Sequence, residues 1–182
     1  DQPDLLVSPF ELTPGKPAYS VDSAEHFAAV YPGAELFLIL GARAAFVRDV
    51  VRPALSQGRV VLADRFDLST FAYQGYGRGL NLDQVKRANE MATGGLCPDL
   101  YLVLDLPVED GLERKGGADS GDRIEREGVS FLSRVREGYG ILTETVPAAR
   151  LIPAHGRPEE VHSAVREVLR EVFPETFCTK EV

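Results

Sequence analysis

Apolar positions along this chain fall into two patterns. Four short continuous runs read as strands: Leu5–Ser8, Arg59–Ala63, Leu100–Leu106, and a weaker one beginning at Leu151 and Ile152. Gly58, Asp64, Pro98, Pro107 and Pro153 bound the later runs. Runs of this kind predict strands buried on both faces, as in a parallel sheet. Between them the spacing turns helical. Helices are predicted over Asp22–Val30, Ala34–Leu55, Leu82–Thr93, from Glu109 to Arg114, over Gly128–Glu144 and over Pro158–Phe173. Pro53 marks the end of the second or a kink in it. Gly94-Gly95 stops the third. In the last, Val161, Val165, Leu169 and Val172 share one face. The tail 174–182 shows no periodicity and is expected to fray. Strands alternating with helices predict an α/β layered fold with a mostly parallel sheet. Ligands of such sheets bind beyond the carboxyl ends of the strands.

Composition narrows the picture. The chain has 182 residues and a formal net charge of −8, enough length for one domain with a real core and too acidic for a protein devoted to holding nucleic acid. A local cationic pocket for one phosphorylated small molecule is compatible with that charge. No run approaches the roughly 18 apolar residues of a membrane span. Cys97 and Cys178 form neither a disulfide framework nor a metal spacing, so a reduced, cytoplasmic setting is expected. Cys97 reads as a packing residue, and His155 and His162 as surface residues. The N-terminus lacks both the pattern of a signal peptide and an initiator Met, which suggests that the sequence begins inside a longer gene product.

Chemistry concentrates after the second strand. Asp64 and Arg65 stand at its mouth, followed by Ser69, Thr70, Tyr73 and Gln74. The arginine offers a fork of donors to phosphate oxygens. Asp64 can orient it or hold a magnesium-bound water. If the stretch is helical, Ser69 and the Tyr73-Gln74 pair lie about one turn apart and face one pocket. A plain polar helix N-terminus with Asp64 as its cap explains the same residue types.

The longer string DRFDLSTFAYQGYGRGL, from Asp64 to Leu80, closely resembles the DR-plus-SxxAYQGxGRG signature of thymidylate kinases, enzymes of the P-loop nucleoside monophosphate kinase group. The resemblance continues in order. AELFLILGAR, from Ala34, is similar to the family's AELLLFxADR helix, and VRPAL, from Val51, to its IRPAL. ATGGLCPDL from Ala92 and LDLP from Leu104 follow. DRIE from Asp122 and RVREGY from Arg134 are similar to the lid segment and the helix after it. The match runs from about Glu35 to Tyr139.

That resemblance implies a P-loop kinase-like three-layer α/β sandwich. It also implies transfer of the ATP γ-phosphoryl group to dTMP, with magnesium, giving dTDP. It assigns Arg65 to the acceptor phosphate and Asp64 to organising that arginine and the water shell of the metal. Arg43 is assigned to the thymine edge, with Ser69 or Thr70 and Gln74 near the base and Tyr73 against the sugar. Arg123 and Arg114 are implied to close over the ATP phosphates from a lid at about 114–127. Residues 1–173 form one kinase-like domain on this reading, and the helix at Ala34–Leu55 implies a homodimer.

Three stretches depart from the family pattern. The sequence contains no GxxxxGK[ST]; Leu5–Ser8 aligns with the family's second strand, so the first strand, P-loop and first helix are expected to lie outside it. Phe10 stands where the family carries a phosphate-binding Arg, with Lys16 nearby as a point charge or a solvated loop residue. Ile39 replaces the thymine-stacking Phe and is expected to cover the base with an aliphatic side chain, while Phe37, on another face, is expected to pack in the core. Ala42 replaces an Asp beside Arg43. Two alternatives therefore accompany the kinase reading: a nucleotide-binding or regulatory homologue without phosphoryl transfer, and a kinase with altered base preference.

Overall fold

The fold was analysed on a computed structural model, which describes residues 6–8, 34–114 and 128–177. The expected helix at Asp22–Val30, together with Phe10, Lys16, Arg123, Cys178 and most of the expected lid, lies outside the described residues. The chain divides into two compact units, one from Asp1–Gln74 with Leu80–Cys97, the other from Gly75–Gly79 with Pro98–Val182.

In the first unit, β1 (Leu6–Ser8) pairs in parallel with β2 (Val61–Ala63), Leu6 beside Val61 and Ser8 beside Ala63. The long helix expected from Ala34 runs as α1 (Ala34–Phe46), a π turn (Val47–Val51) and α2 (Arg52–Ser56). Its buried face is Leu36, Leu40, Arg43, Val47, Val51 and Ala54, a spacing of three or four residues throughout. Pro53 gives the π turn a physical cause. Its ring clashes with the carbonyl four residues back and it has no N–H to donate. A wider turn just upstream makes room, and the Arg52 N–H reaches back five residues to the Val47 carbonyl. Leu36 and Leu40 pack with Val85 of α4 (Leu82–Thr93), and Phe71, Leu80, Ala88 and Ala92 surround them. The Asn81 side chain caps the start of α4 by accepting from the Gln84 N–H at 3.0 Å. Gly94, in the left-handed conformation at φ 59°, ends the helix where the Gly-Gly pair predicts.

Between β2 and α4 the chain forms α3 (Asp67–Thr70) and a π-helical segment (Phe71–Gly77). The stretch is therefore helical, but it has two faces. Thr70 and Gln74 point inward and are buried, while Ser69 and Tyr73 are half-buried.

In the second unit, β3 (Tyr101–Asp105) pairs in parallel with β4 (Ala149–Pro153) over five residues, from Tyr101 beside Ala149 to Asp105 beside Pro153. Here lie α5 (Val108–Arg114), α6 (Val129–Thr145), α7 (Pro158–Val172) and the single-turn α8 (Pro174–Phe177). Phe131, Val135 and Leu142 of α6 are buried, as are Val103, Ala149 and Ile152 of the strands. Two glycines let α6 approach its neighbours. A Cβ on Gly138 would sit 2.7 Å from the Tyr76 ring, and one on Gly77 would sit 2.8 Å from Phe131 and Val135. At the start of α7 the Glu160 carboxylate accepts from the Arg157 N–H at 2.9 Å and from its Nε at 3.0 Å. The segment from Pro174, expected to fray, makes a helical turn whose Phe177 ring lies 6.4 Å from that of Phe173.

Both sheets are parallel, as the apolar runs predict, and helices alternate with strands as in the α/β class. The expectation of strands buried on both faces is not met. Leu62, Leu104 and Leu151 are 52%, 55% and 46% exposed. Side chains stand out of the plane of a sheet, so each of these three lies on a face left open to solvent. Phe37 is likewise not a core residue: it is 74% exposed, because the helix turns Leu36 and Leu40 inward and leaves Phe37 about 100° away. Cys97, expected to pack, is exposed, and its thiol lies 3.7 Å from the Gly95 carbonyl beside the end of α4.

Candidate functional site

The carboxyl end of β2 carries the first part of the site. Asp64 and Arg65 follow the strand directly and are both exposed. Arg65 has a φ of 65°, the one positive value at a non-glycine residue among those described. A side chain in that region costs on the order of 1–3 kcal/mol, so the surroundings must hold it there. One hold is visible: the guanidinium lies 5.0 Å from the centre of the Tyr73 ring. The turn thus places an exposed arginine at the mouth of a parallel strand, beside an aromatic ring. Asp64 is not a helix cap. α3 begins at Asp67, whose own carboxylate accepts from the Leu68 N–H at 3.0 Å.

The second part is buried. Arg43 is only 7% exposed on the inward face of α1. Its Nη1 donates to Thr70 Oγ1 at 2.7 Å and to Asn89 Oδ1 at 2.6 Å, and its Nη2 donates to the Phe66 carbonyl at 2.9 Å. The Phe66 ring stands 5.5 Å from the guanidinium carbon. A buried cation needs such acceptors, since an unpaired one would be expelled or would unfold its surroundings. The arrangement ties α1, the segment after β2 and α4 to one planar group. Gln74, also buried, donates from Nε2 to Glu35 Oε1 at 2.6 Å. Ile39 is half-buried on α1, one helical turn before Arg43.

Eight of the residues singled out in the sequence thus fall in the first unit: Ile39, Arg43, Asp64, Arg65, Ser69, Thr70, Tyr73 and Gln74. Arg114 ends α5 in the second unit and is exposed, and Arg123 is outside the described residues. Sequence reasoning missed Asn89, Phe66 and Glu35. Asn89 did leave a signal, being a polar residue on the apolar face of α4, one turn from Val85. The described residues contain no group of three or more His, Cys, Asp or Glu able to hold a metal ion. Asp64, an exposed carboxylate, fits magnesium held through a water, because that ion usually keeps several waters and takes few protein ligands.

A different charged group occupies the second unit. Arg136 of α6 makes a two-pronged pair with Asp105 at the end of β3, Nε to Oδ1 at 2.7 Å and Nη2 to Oδ2 at 2.8 Å. The guanidinium hydrogen bonds hold the Asp105 carboxyl below the usual carboxylate range. The pair lines a cleft of about 370 Å³ with Glu109, Ser133 and Leu151.

Comparison with known proteins decides the family. The family model described as thymidylate kinase matches residues 20–165, most of the chain. The chain belongs to the thymidylate kinase family. A thymidylate kinase of Nitratidesulfovibrio vulgaris (strain DSM 19637 / Miyazaki F) is 47% identical over 152 residues, which are 79% of this chain and 71% of that protein. One from Prochlorococcus marinus (strain MIT 9313) is 48% identical over 145 residues, 78% of this chain and 65% of its own. One from Halothermothrix orenii (strain H 168 / OCM 544 / DSM 9562) is 49% identical over 142 residues, 76% of this chain and 67% of its own. The matched region therefore spans about two thirds of the length of these thymidylate kinases.

Proposed function

We propose that this member of the thymidylate kinase family transfers the γ-phosphoryl group of ATP to dTMP. A phosphate oxygen of dTMP attacks the γ-phosphorus, the bond to the β–γ bridging oxygen breaks, and dTDP and ADP leave. The observation that carries the reading is Arg65, held in a left-handed turn beyond a parallel strand with its guanidinium against Tyr73. Such a turn is costly, and it is reasonable where an arginine must be in place before a phosphate arrives. Phosphoryl transfer depends on positioning and on cations around spread negative charge.

The remaining roles follow on this reading. Arg65 binds the acceptor phosphate, and Asp64 orients that arginine and holds a water of the metal. Arg43 meets the thymine edge, with Thr70 setting the guanidinium and Ser69, Gln74 and Ile39 around the base. Tyr73 flanks the sugar and supports Arg65. Arg114 and Arg123 close over ATP from a lid at about 114–127, within one domain over residues 1–173. Magnesium bound with ATP would neutralise part of the phosphate charge. No described helix is long and apolar enough to cross a membrane. A cytoplasmic homodimer is the assembly we favour, with the exposed Phe37 and Leu38 on the outer face of α1 as the contact.

The test is ADP release by the full-length protein with ATP, magnesium and dTMP, alongside thermal shifts with each nucleotide. Activity with dTMP is expected, and Arg65→Ala should lower kcat by about 100-fold, the loss typical of one group that stabilises transferring charge. A dTMP-induced rise in melting temperature without ADP release would favour the nucleotide-binding homologue, and absence of any shift with dTMP would defeat the reading.

A further inference from the structure

Asn89 belongs to no part of the reading so far, yet it touches the group that reading assigns to the base. It is 3% exposed on α4. Its Nδ2 donates to the Val85 carbonyl one turn back, at 3.1 Å. That bond fixes which way the amide faces, so the atom turned to Arg43 is the oxygen, which accepts from Nη1 at 2.6 Å. Thr70 Oγ1 takes a second bond from the same nitrogen at 2.7 Å. An arginine Nη carries two hydrogens, so both hydrogens of Nη1 are engaged within the protein. Any bond from Arg43 to a ligand must then come from Nη2 or Nε. With Nη2 also tied to the Phe66 carbonyl, the plane of the guanidinium is set by three acceptors from two other segments.

We propose that Asn89 is a positioning residue for base choice: it locks the guanidinium of Arg43 so that only one edge of it faces the acceptor nucleotide. This rests on the reading that Arg43 meets the base of dTMP. An arginine edge offers donors only, so a locked edge rewards a carbonyl oxygen on the base and repels an amino group. A guanidinium free to turn can slide away from an amino group, and discrimination falls. Binding of the wrong pyrimidine leaves buried donors unpaired, which is where polar sites gain their selectivity.

The test compares the parent, Asn89→Leu and Asn89→Asp. Leucine has the same branched heavy-atom skeleton with bulkier methyls and no acceptor, whereas aspartate keeps an acceptor toward Arg43. Steady-state kinetics are measured with dTMP and with dCMP, which carries an amino group where dTMP carries a carbonyl. N89L should raise KM for dTMP about tenfold with kcat within about twofold, and should narrow the dTMP over dCMP preference in kcat/KM. N89D should keep KM for dTMP within about threefold of the parent. A second readout needs no turnover: arginine side-chain NMR of Arg43 should show slowly rotating Nη groups in the parent and averaged ones in N89L. Should N89L fold poorly, Asn89→Ala carries the same expectation. Unchanged KM and unchanged Nη signals in N89L, in a parent that phosphorylates dTMP, would overturn this inference alone. A parent that neither binds nor phosphorylates dTMP would overturn the reading of the site, whatever the NMR shows of Arg43.

Discussion

Arg43 and Arg136 make similar bonds in opposite surroundings. Arg43 donates to two side chains and a backbone carbonyl, all neutral, from a position 7% exposed. Arg136 donates twice to a carboxylate, but its side chain is 44% exposed and that of Asp105 25%. By charge alone the second should be the stronger, since a two-pronged ion pair gains Coulomb energy that bonds to these three neutral acceptors lack. Burial reverses the order. Water screens the Arg136 pair and solvates either partner once the other is removed. Thr70 and Asn89 are buried at 1% and 3% exposure, so little water reaches them if Arg43 goes. The cost of losing an arginine here is the cost of what it leaves behind.

The sharpest way to break this comparison is Arg43→Ala. It strands several buried acceptors and opens a space between α1, α3 and α4, so a loss of about 3 kcal/mol is expected in urea unfolding. A loss below about 1 kcal/mol would mean that water replaces the guanidinium, and that the site is wetter than its burial suggests. None of these three acceptors titrates, so their share of the loss should not depend on pH.

Arg52 supplies an intermediate case. Its Nη2 donates at 3.0 Å to both the Thr93 and Gly94 carbonyls, at the end of α4, from an exposed position on α2. A cation on the last carbonyls of a helix satisfies acceptors that the ladder leaves open and suits the negative end of the dipole. Arg52→Ala should cost about 1 kcal/mol and should speed hydrogen exchange in the last turn of α4 without disturbing its first. Arg52→Lys should recover part of this, because charge survives although one nitrogen no longer reaches both carbonyls with a planar group.

The same three arginines show what a sequence discloses. The stop of α4 was legible because Gly94-Gly95 acts within a few residues, and the strands because apolar runs are local. The Asp64-Arg65 mouth was legible for the same reason, since it follows a strand directly. The partners of Arg43 were not: they lie 27, 46 and 23 residues away in sequence, and only packing brings them together. The π turn at Val47–Val51 was hidden as well, because Leu36 to Ala54 keeps a helical spacing straight through it. Phe37 misled because an aromatic on an apolar helix suggests a core, and only the orientation fixed by Leu36 and Leu40 shows that it faces out.

The smallest effect is expected at the Arg136–Asp105 pair. Asp105 has its pKa lowered on folding, first by the hydrogen bonds from Arg136 and further by the positive charges of Arg136 and His155 nearby, against the opposing effect of burial. A carboxyl with a lowered folded pKa binds its proton more readily in the unfolded chain, where the reference value is about 3.9. Its stabilisation is therefore fully present above that value and is lost as pH falls through the lower folded value. Asp105→Asn keeps the shape and removes the charge. With both partners partly exposed, the variant should lose less than about 1 kcal/mol at pH 7. That difference should stay level down to about pH 5 and close below about pH 4, the range in which the unfolded carboxyl takes up its proton. Urea titrations of the two proteins across pH 3–7 would read it. If instead the gap at neutral pH reached the size expected for Arg43→Ala, solvent exposure would not be what separates the two arginines. The cleft beside Asp105 would then have to be treated as dry.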